Sequence, residues 1–265
     1  MGELPRRISR RSLVLSGLAA GRLLAVGAKG ATFESETRRY ADPTTDFEVY
    51  RLTDPAYAST LPAYYGRAIS RNSGWLLFAC DRSGEPQAFR MDLKTGETRE
   101  LTAAEGLDAS SLTLTTDSRS FCYFAKDNLF LTNLTTLKER QVYSVPEGWE
   151  RSGFEAGPDG THAVFAERRG DGSRLRMALL TNGAARTVVE APFAMSDPIQ
   201  RPNRAQILYR QGDEGLWLVN SDGKGNRQLK LADGRIGPAD WSGDGKTLLY
   251  LRFPEDPKQL TEIRE

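Results

Sequence analysis

Apolar and polar positions along this chain alternate in short runs, and polar turns part those runs at even intervals. Alternation with a period of two marks a half-buried β-strand, because successive side chains leave a strand on opposite faces. The clearest unit is Asp240-Trp241-Ser242-Gly243-Asp244-Gly245-Lys246-Thr247-Leu248-Leu249-Tyr250, a polar turn followed at once by a strand that ends on an aromatic residue. Four earlier copies run over Ser70–Phe78, Thr116–Tyr123, Pro158–Phe165 and Pro202–Tyr209. Their closing aromatics Phe78, Tyr123, Phe165, Tyr209 and Tyr250 are spaced by 45, 42, 44 and 41 residues. Short strands repeating every ~40–45 residues are the signature of a β-propeller blade. The expected fold is therefore all-β, a propeller of four-stranded antiparallel blades over residues 46–265.

Each blade can be drafted strand by strand. In the first, Arg67–Ser70 is the inner strand, Trp75–Ala79 the second, Gln87–Leu93 the third, and the stretch from Glu97 to Thr102 the outer one. Later third strands fall at Leu129–Leu134, Leu175–Leu180 and Leu216–Asn220, and later outer strands at Arg140–Val145, Arg186–Val189 and Arg227–Leu231. Thr181-Asn182-Gly183 and Ser221-Asp222-Gly223 supply the left-handed residues that tight turns need. One strand, Asp46–Leu52, precedes the first full repeat and is expected to close the ring against the last blade. After Tyr250 only Leu251-Arg252-Phe253 continues a strand, followed by a charged tail. About five and a half repeats fit between the N-terminal segment and Glu265. The expectation is five to six blades, either a five-bladed ring with an irregular seam or a truncated seven-bladed ring.

The N-terminus changes the picture of where the protein acts. Residues 1–28 combine Arg6, Arg7, Arg10 and Arg11 with a weakly apolar run from Leu13 to Ala28, and Ser9-Arg10-Arg11-Ser12-Leu13-Val14 resembles a twin-arginine export motif. With Arg22 inside it, the apolar run is too interrupted to span a bilayer. The expectation is a signal peptide over 1–28, a flexible lead-in over 29–45, no transmembrane helix after signal removal, and a periplasmic or extracellular protein. A net charge of +1 gives no basis for nucleic acid as a partner. The two cysteines, Cys80 and Cys122, differ in strand parity and read as separate buried thiols.

A resemblance narrows the function. The phrase Ser242–Tyr250 resembles the repeats of TolB-like propellers. Tyr50-Arg51-Leu52-Thr53, Leu76-Leu77-Phe78-Ala79-Cys80-Asp81, Ser196-Asp197-Pro198-Ile199-Gln200-Arg201-Pro202 and the stretch from Gly215 to Gly223 resemble oligogalacturonate lyases, which are seven-bladed propellers. The resemblance implies β-elimination of short pectin fragments with a bound manganese ion held mainly by histidines. Such chemistry needs a base for the proton alpha to the uronate carboxylate and a metal or arginine to neutralise the developing enolate.

The candidate residues depart from that pattern. The chain has one histidine, His162, and the repeat register puts it at the outer end of a second strand, away from the channel. Asp197 stands where the lyases carry a histidine before proline, and Tyr209-Arg210-Gln211 where they carry a Cys-His-Glu run. Arg201, Arg210 and Gln211 are the candidate substrate-binding residues, since an arginine fork pairs with a uronate carboxylate. Asp197 is the candidate metal ligand, with Gln211 completing an oxygen site for a hard cation. Glu105, Asp108, Asp213, Glu214 and Asp240 are loop carboxylates with no readable pairing. Two functions stay open. One is an exported relative of the lyases that binds or acts on acidic pectin-derived oligosaccharides. The other is a non-catalytic TolB-like propeller that docks an envelope protein.

Overall fold

The recurring phrase is a turn that satisfies its own backbone. In the computed structural model, which describes residues 28–212, 215–256 and 258–265, a hydroxyl at its start accepts the N–H five residues on. Ser70 accepts from Trp75 at 2.9 Å, Thr115 from Ser120 at 3.1 Å and Ser242 from Thr247 at 3.0 Å. The same hydroxyls donate to Asn72, Asp117 and Asp244 at 2.8, 2.8 and 2.7 Å. Side chains that bond their own backbone in this way fix a turn without tertiary help. The strand that follows then buries its aromatic: Phe78, Tyr123, Phe165, Tyr209 and Tyr250 are between 0% and 7% exposed.

Three short strands come first: β1 (Thr32–Phe33), β2 (Arg38–Ala41) and β3 (Glu48–Arg51). Five antiparallel blades follow around the ring. The first holds β4 (Ser59–Thr60), β5 (Trp75–Cys80), β6 (Gln87–Asp92) and β7 (Thr98–Glu100); the second β8 (Thr113–Leu114), β9 (Ser120–Ala125), β10 (Asn128–Asn133) and β11 (Glu139–Ser144). The third holds β12 (Glu150–Ala156), β13 (His162–Arg169), β14 (Gly172–Leu179) and β15 (Ala185–Ala191); the fourth β16 (Met195–Gln200), β17 (Gln206–Gln211), β18 (Leu216–Asn220) and β19 (Arg227–Gln228). The fifth shows β20 (Arg235–Trp241), β21 (Leu248–Phe253) and β22 (Glu262–Arg264) among the described residues. The all-β propeller expected from the repeat is thus the fold. The helical content is one 3₁₀ turn, Ala109–Ser111, among the described residues.

The core lies between blades rather than inside one. Leu77, Leu112, Phe121 and Tyr123 join blades one and two; Phe124, Phe154 and Phe165 join two and three; Val164, Ile207 and Tyr209 join three and four; Ile199, Leu208, Ala239 and Tyr250 join four and five. Adjacent blades also exchange hydrogen bonds at their turns: Arg71 N–H donates to Ser118 Oγ at 3.0 Å and Thr116 Oγ1 to the Pro158 carbonyl at 2.8 Å. Gly245 shows how close these approaches are, since with φ +70 a Cβ there would sit 2.1 Å from the Pro202 carbonyl oxygen. Both cysteines are buried and unpaired. Cys80 lies under Phe33 and Leu52 on the side of blade one away from blade two, while Cys122 faces blade three. Burial pushes the Cys122 thiol up to about 12, which leaves it inert.

Three expectations need revision. The strand read over Asp46–Leu52 is β3, and it pairs with β2 in an exposed hairpin rather than closing the ring against the last blade. The partner at the first blade's outer edge is instead β1, inside the stretch 29–45. Thr32 and Phe33 pair with Arg99 and Thr98, and Phe33 packs 6.0 Å from Phe89, giving an otherwise bare edge an aromatic cover. The first inner strand runs against β5 at Arg67–Ser70 as read, with the Ala68 carbonyl accepting the Leu77 N–H at 2.7 Å, but it has a second piece, β4, further upstream. β4 pairs with Cys80 and Ala79, Ile69 bridges to Leu76, and the segment between leaves the sheet at Pro62, which lacks the N–H a ladder needs. The charged tail also contributes a strand, β22, paired with β21. The export signal read over 1–28 lies almost wholly outside the described residues. No helix among the described residues is long and apolar enough to cross a membrane.

Candidate functional site

The segment that leaves the first blade carries Tyr64 and Tyr65 into the channel. Their rings meet edge to face at 4.8 Å. Tyr65 packs against the core shared by blades four and five, and the Tyr64 hydroxyl accepts the Ala239 N–H at 3.4 Å. The pair divides the channel between an upper end, where the chain enters each inner strand, and a lower end, where the repeated phrase turns it back. Partial burial raises both phenols above their ordinary pKa of 10, at which they are already protonated near neutral pH. For Tyr65 the Asp197 carboxylate adds to that effect; for Tyr64 the bond from Ala239 opposes it.

At the upper end the inner strands of blades three, four and five all lose register: between Ser152 and Phe154, between Ser196 and Ile199, and between Ile236 and Ala239. Such bulges re-aim side chains, and they cluster beside functional sites. Asp197 sits in the middle one with φ 47, a left-handed conformation that a residue with a side chain adopts at a cost. The neighbouring blade accommodates it through Gly153, φ +72, where a Cβ would lie 2.8 Å from Asp197 N and from Pro198 Cδ.

Held this way, Asp197 places Oδ2 3.6 Å from Arg210 Nε. The Arg210 fork donates to the Ile236 carbonyl at 2.9 Å and the Gly237 carbonyl at 2.6 Å, so it spans the bulge of the fifth blade. Tyr64, Asp197, Arg210, Arg235 and Pro238 enclose a cavity of about 270 Å³. Arg235 lies at its exposed rim with its guanidinium 4.2 Å over the Phe253 ring. Nearby, Arg151 pairs with Asp108 and stacks 4.4 Å over Phe124. Burial opposes ionisation of Asp108, but the Ser110 hydroxyl and Arg151 outweigh it and hold its pKa below the ordinary 3.8. The cavity therefore offers two guanidinium groups, one carboxylate and a neutral phenol.

The sequence candidates divide between places. Asp197 and Arg210 come together in this cavity. Gln211 ends β17 opposite Met195, buried on the other side of the strand from Arg210, so it does not complete a donor set with Asp197. Arg201 is at the lower end: Nε donates to the Gly245 carbonyl at 2.7 Å, a terminal nitrogen to Gln206 at 2.9 Å, and its guanidinium stacks 4.4 Å over Trp241. The contacts with Gly245 and Trp241 tie blade four to blade five. His162 opens β13 just past the turn at the lower end, with Nδ1 3.1 Å from Asp159. Of the loop carboxylates, Glu105 pairs with Lys126 at 2.8 Å, Asp108 pairs with Arg151, and Asp240 lines the lower end. Asp213 and Glu214 lie outside the described residues. Sequence reasoning passed over Tyr64, Tyr65 and Gly153, although adjacent tyrosines just after a strand-breaking proline were a visible signal.

The sequence pattern of the family described as oligogalacturonate lyase matches residues 27–175, more than half of the chain. The chain belongs to the oligogalacturonate lyase family. The oligogalacturonide lyase of Pectobacterium atrosepticum is 26% identical over 260 residues, covering 86% of this chain and 67% of that protein. The chain thus spans about two thirds of the length of that relative. A solved structure of an oligogalacturonate lyase in complex with manganese superposes with a TM-score of 0.82 at 25% identity, over 87% of this chain and 69% of the other. TolB from Acinetobacter baumannii shares the fold, with a TM-score of 0.57 at 16% identity over 86% of this chain and 56% of the other.

The described residues do not fit a manganese ion. No group of three or more His, Cys, Asp or Glu side chains converges among them, and the one carboxylate of the upper cavity is already paired with Arg210.

Proposed function

We propose that this lyase-family propeller is exported and binds acidic, pectin-derived oligosaccharides at the upper end of its channel, with β-elimination as the reaction if it turns them over. The observation that carries the reading is the Asp197–Arg210 pair, which the bulges of blades three, four and five hold against Tyr64 in a cavity with a second cation at its rim. A uronate chain presents one carboxylate per ring; Arg235 at the rim offers a guanidinium fork to receive one, and Arg210, its fork committed to two carbonyls, adds positive charge beside it. Tyr64, a neutral phenol, donates a hydrogen bond to a sugar oxygen. The elimination step would draw on Arg210 to offset charge on the enolate.

Calorimetric titration with digalacturonate and trigalacturonate tests the binding, and absorbance of newly formed unsaturated uronate tests turnover. Arg235→Ala is expected to weaken binding at least tenfold while leaving the fold intact, because Arg235 is at the rim. Absence of any heat with either ligand overturns the reading, and a stoichiometric envelope-protein partner insensitive to uronates would then support an interaction platform. Fractionation tests export: replacing Arg10 and Arg11 with Lys is expected to retain the protein in the cytosol with residues 1–28 uncleaved.

A further inference from the structure

The lower end of the channel opens into a separate cavity of about 750 Å³, walled by Tyr65, Arg67, Glu155, Gln200, Asp240 and Trp241. Its size falls in the range of small-molecule sites, roughly 300–1,000 Å³. The repeat itself departs from its own rule here. Ser70, Thr115 and Ser242 supply the turn hydroxyl in blades one, two and five, but Gly157 and Arg201 stand at the equivalent positions of blades three and four. The room left at Gly157 is taken by the Gln200 carboxamide, since a Cβ on Gly157 would lie 2.1 Å from Gln200 Nε2. A local rule broken without a local benefit is where function is expected.

The polar groups of this wall are unspent donors. Gln200 is 8% exposed, and its Nε2 has no hydrogen-bond partner; Trp241 Nε1 has none either. The Arg67 guanidinium is half-buried and makes no hydrogen bond among the described residues. Glu155, 9% exposed, uses one oxygen to accept the Gln200 N–H at 2.5 Å. Burial, reinforced by the Asp240 charge, raises the pKa of that carboxyl well above the ordinary 4.5, against the Gln200 N–H and the Arg67 charge, which lower it. Buried donors without partners call for acceptor oxygens. A divalent cation does not meet that need, and no three carboxylate, histidine or cysteine side chains converge among the described residues.

We propose that the lower cavity is a second binding site, for a small polyhydroxy carboxylate of one or two sugar rings, with Arg67 on the carboxylate and Gln200 and Trp241 on the remaining oxygens. The site is at the opposite end of the channel from the Asp197–Arg210 cavity, and the inference does not rest on what binds there.

The test is nuclear magnetic resonance on the full, ¹⁵N-labelled chain. It has four tryptophans, and the Trp241 indole cross-peak is assigned by its loss in Trp241→Phe. Galacturonate, galactose and inorganic phosphate are titrated separately. Galacturonate is expected to move the Trp241 peak in a saturable way, with galactose and phosphate each at least tenfold weaker. Arg67→Ala is expected to weaken galacturonate at least tenfold, while the Trp75, Trp149 and Trp217 peaks report that the variant is folded. A Trp241 peak that none of the three ligands moves overturns the site, whatever calorimetry shows for the upper end. A phosphate response equal to galacturonate, or an Arg67→Ala response equal to wild type, overturns it as well.

Discussion

Gly153→Ala tests whether the upper cavity is built by two blades acting together. Two effects add at this position. A Cβ-bearing residue pays ~1–2 kcal/mol to hold the left-handed backbone that Gly153 adopts at φ +72. The new Cβ would also lie 2.8 Å from Asp197 N and Pro198 Cδ, a backbone atom and a ring that cannot swing aside, and forcing packed atoms apart costs a further ~1–3 kcal/mol. The expected loss is about 3 kcal/mol by urea denaturation, or a fall in Tm of roughly 6–12 °C for a chain of this size. Gly148→Ala is the control. It has φ +78 but nothing within 4 Å of the added Cβ, so it should lose only the backbone part, ~1–2 kcal/mol. The excess loss in Gly153→Ala measures the contact with the Asp197 bulge, and it should come with weaker oligogalacturonate binding. Equal losses in the two variants would refute the argument, because they would mean that blade four shifts freely and that Gly153 does not set Asp197.

Three further outcomes follow from other contacts. Burial, then the Asp240 charge, raises the Glu155 pKa well above the ordinary 4.5, and burial raises Asp240 above 3.8. The folded chain therefore keeps protons that the unfolded chain releases, and this contribution to stability falls as pH rises from about the ordinary carboxylate values toward the folded ones. Glu155→Gln removes most of that slope, so its Tm relative to wild type should climb in melts from pH 4.5 to 8. Arg210→Ala breaks the pair with Asp197 and two donations that lock blade four to blade five; about 2–4 kcal/mol should be lost by denaturation, and Arg210→Lys should not restore it because an ammonium cannot fork across two carbonyls. Ser242→Ala removes the hydroxyl that accepts Thr247 N–H, for an expected loss of ~1 kcal/mol by denaturation, without change in ligand binding.

What the sequence made legible is whatever the chain settles within a few residues of itself. The Ser/Thr turns of blades one, two and five close on their own backbone, and in every blade the periodic aromatic is buried a few residues after its polar turn. The blade period, strand order and the burial of Tyr123 or Tyr209 could therefore be drafted from spacing alone. The site was less legible because its parts meet across the ring. Tyr64 reaches Ala239 at a separation of 175 residues, and β1 covers the edge of β7 from well upstream. Arg201 and Asp197, four residues apart, looked like one site. An extended strand carries them to opposite ends of the channel instead.

One signal was nevertheless present and went unused. Contacts between blades join residues about one repeat apart: Arg151 with Asp108 at 43, Gln200 with Glu155 at 45, Arg201 with Gly245 at 44 and Thr116 with Pro158 at 42. In a propeller a polar residue at one register position therefore finds its partner at the same level of the next blade, not along its own strand. Pairing Asp108 with Arg151 by that rule would have explained a carboxylate that seemed isolated. The same rule sets Glu155 against Gln200, a neighbouring pair at the lower end whose donors are not all used, and it is this residual valence that distinguishes a binding surface from a structural seam.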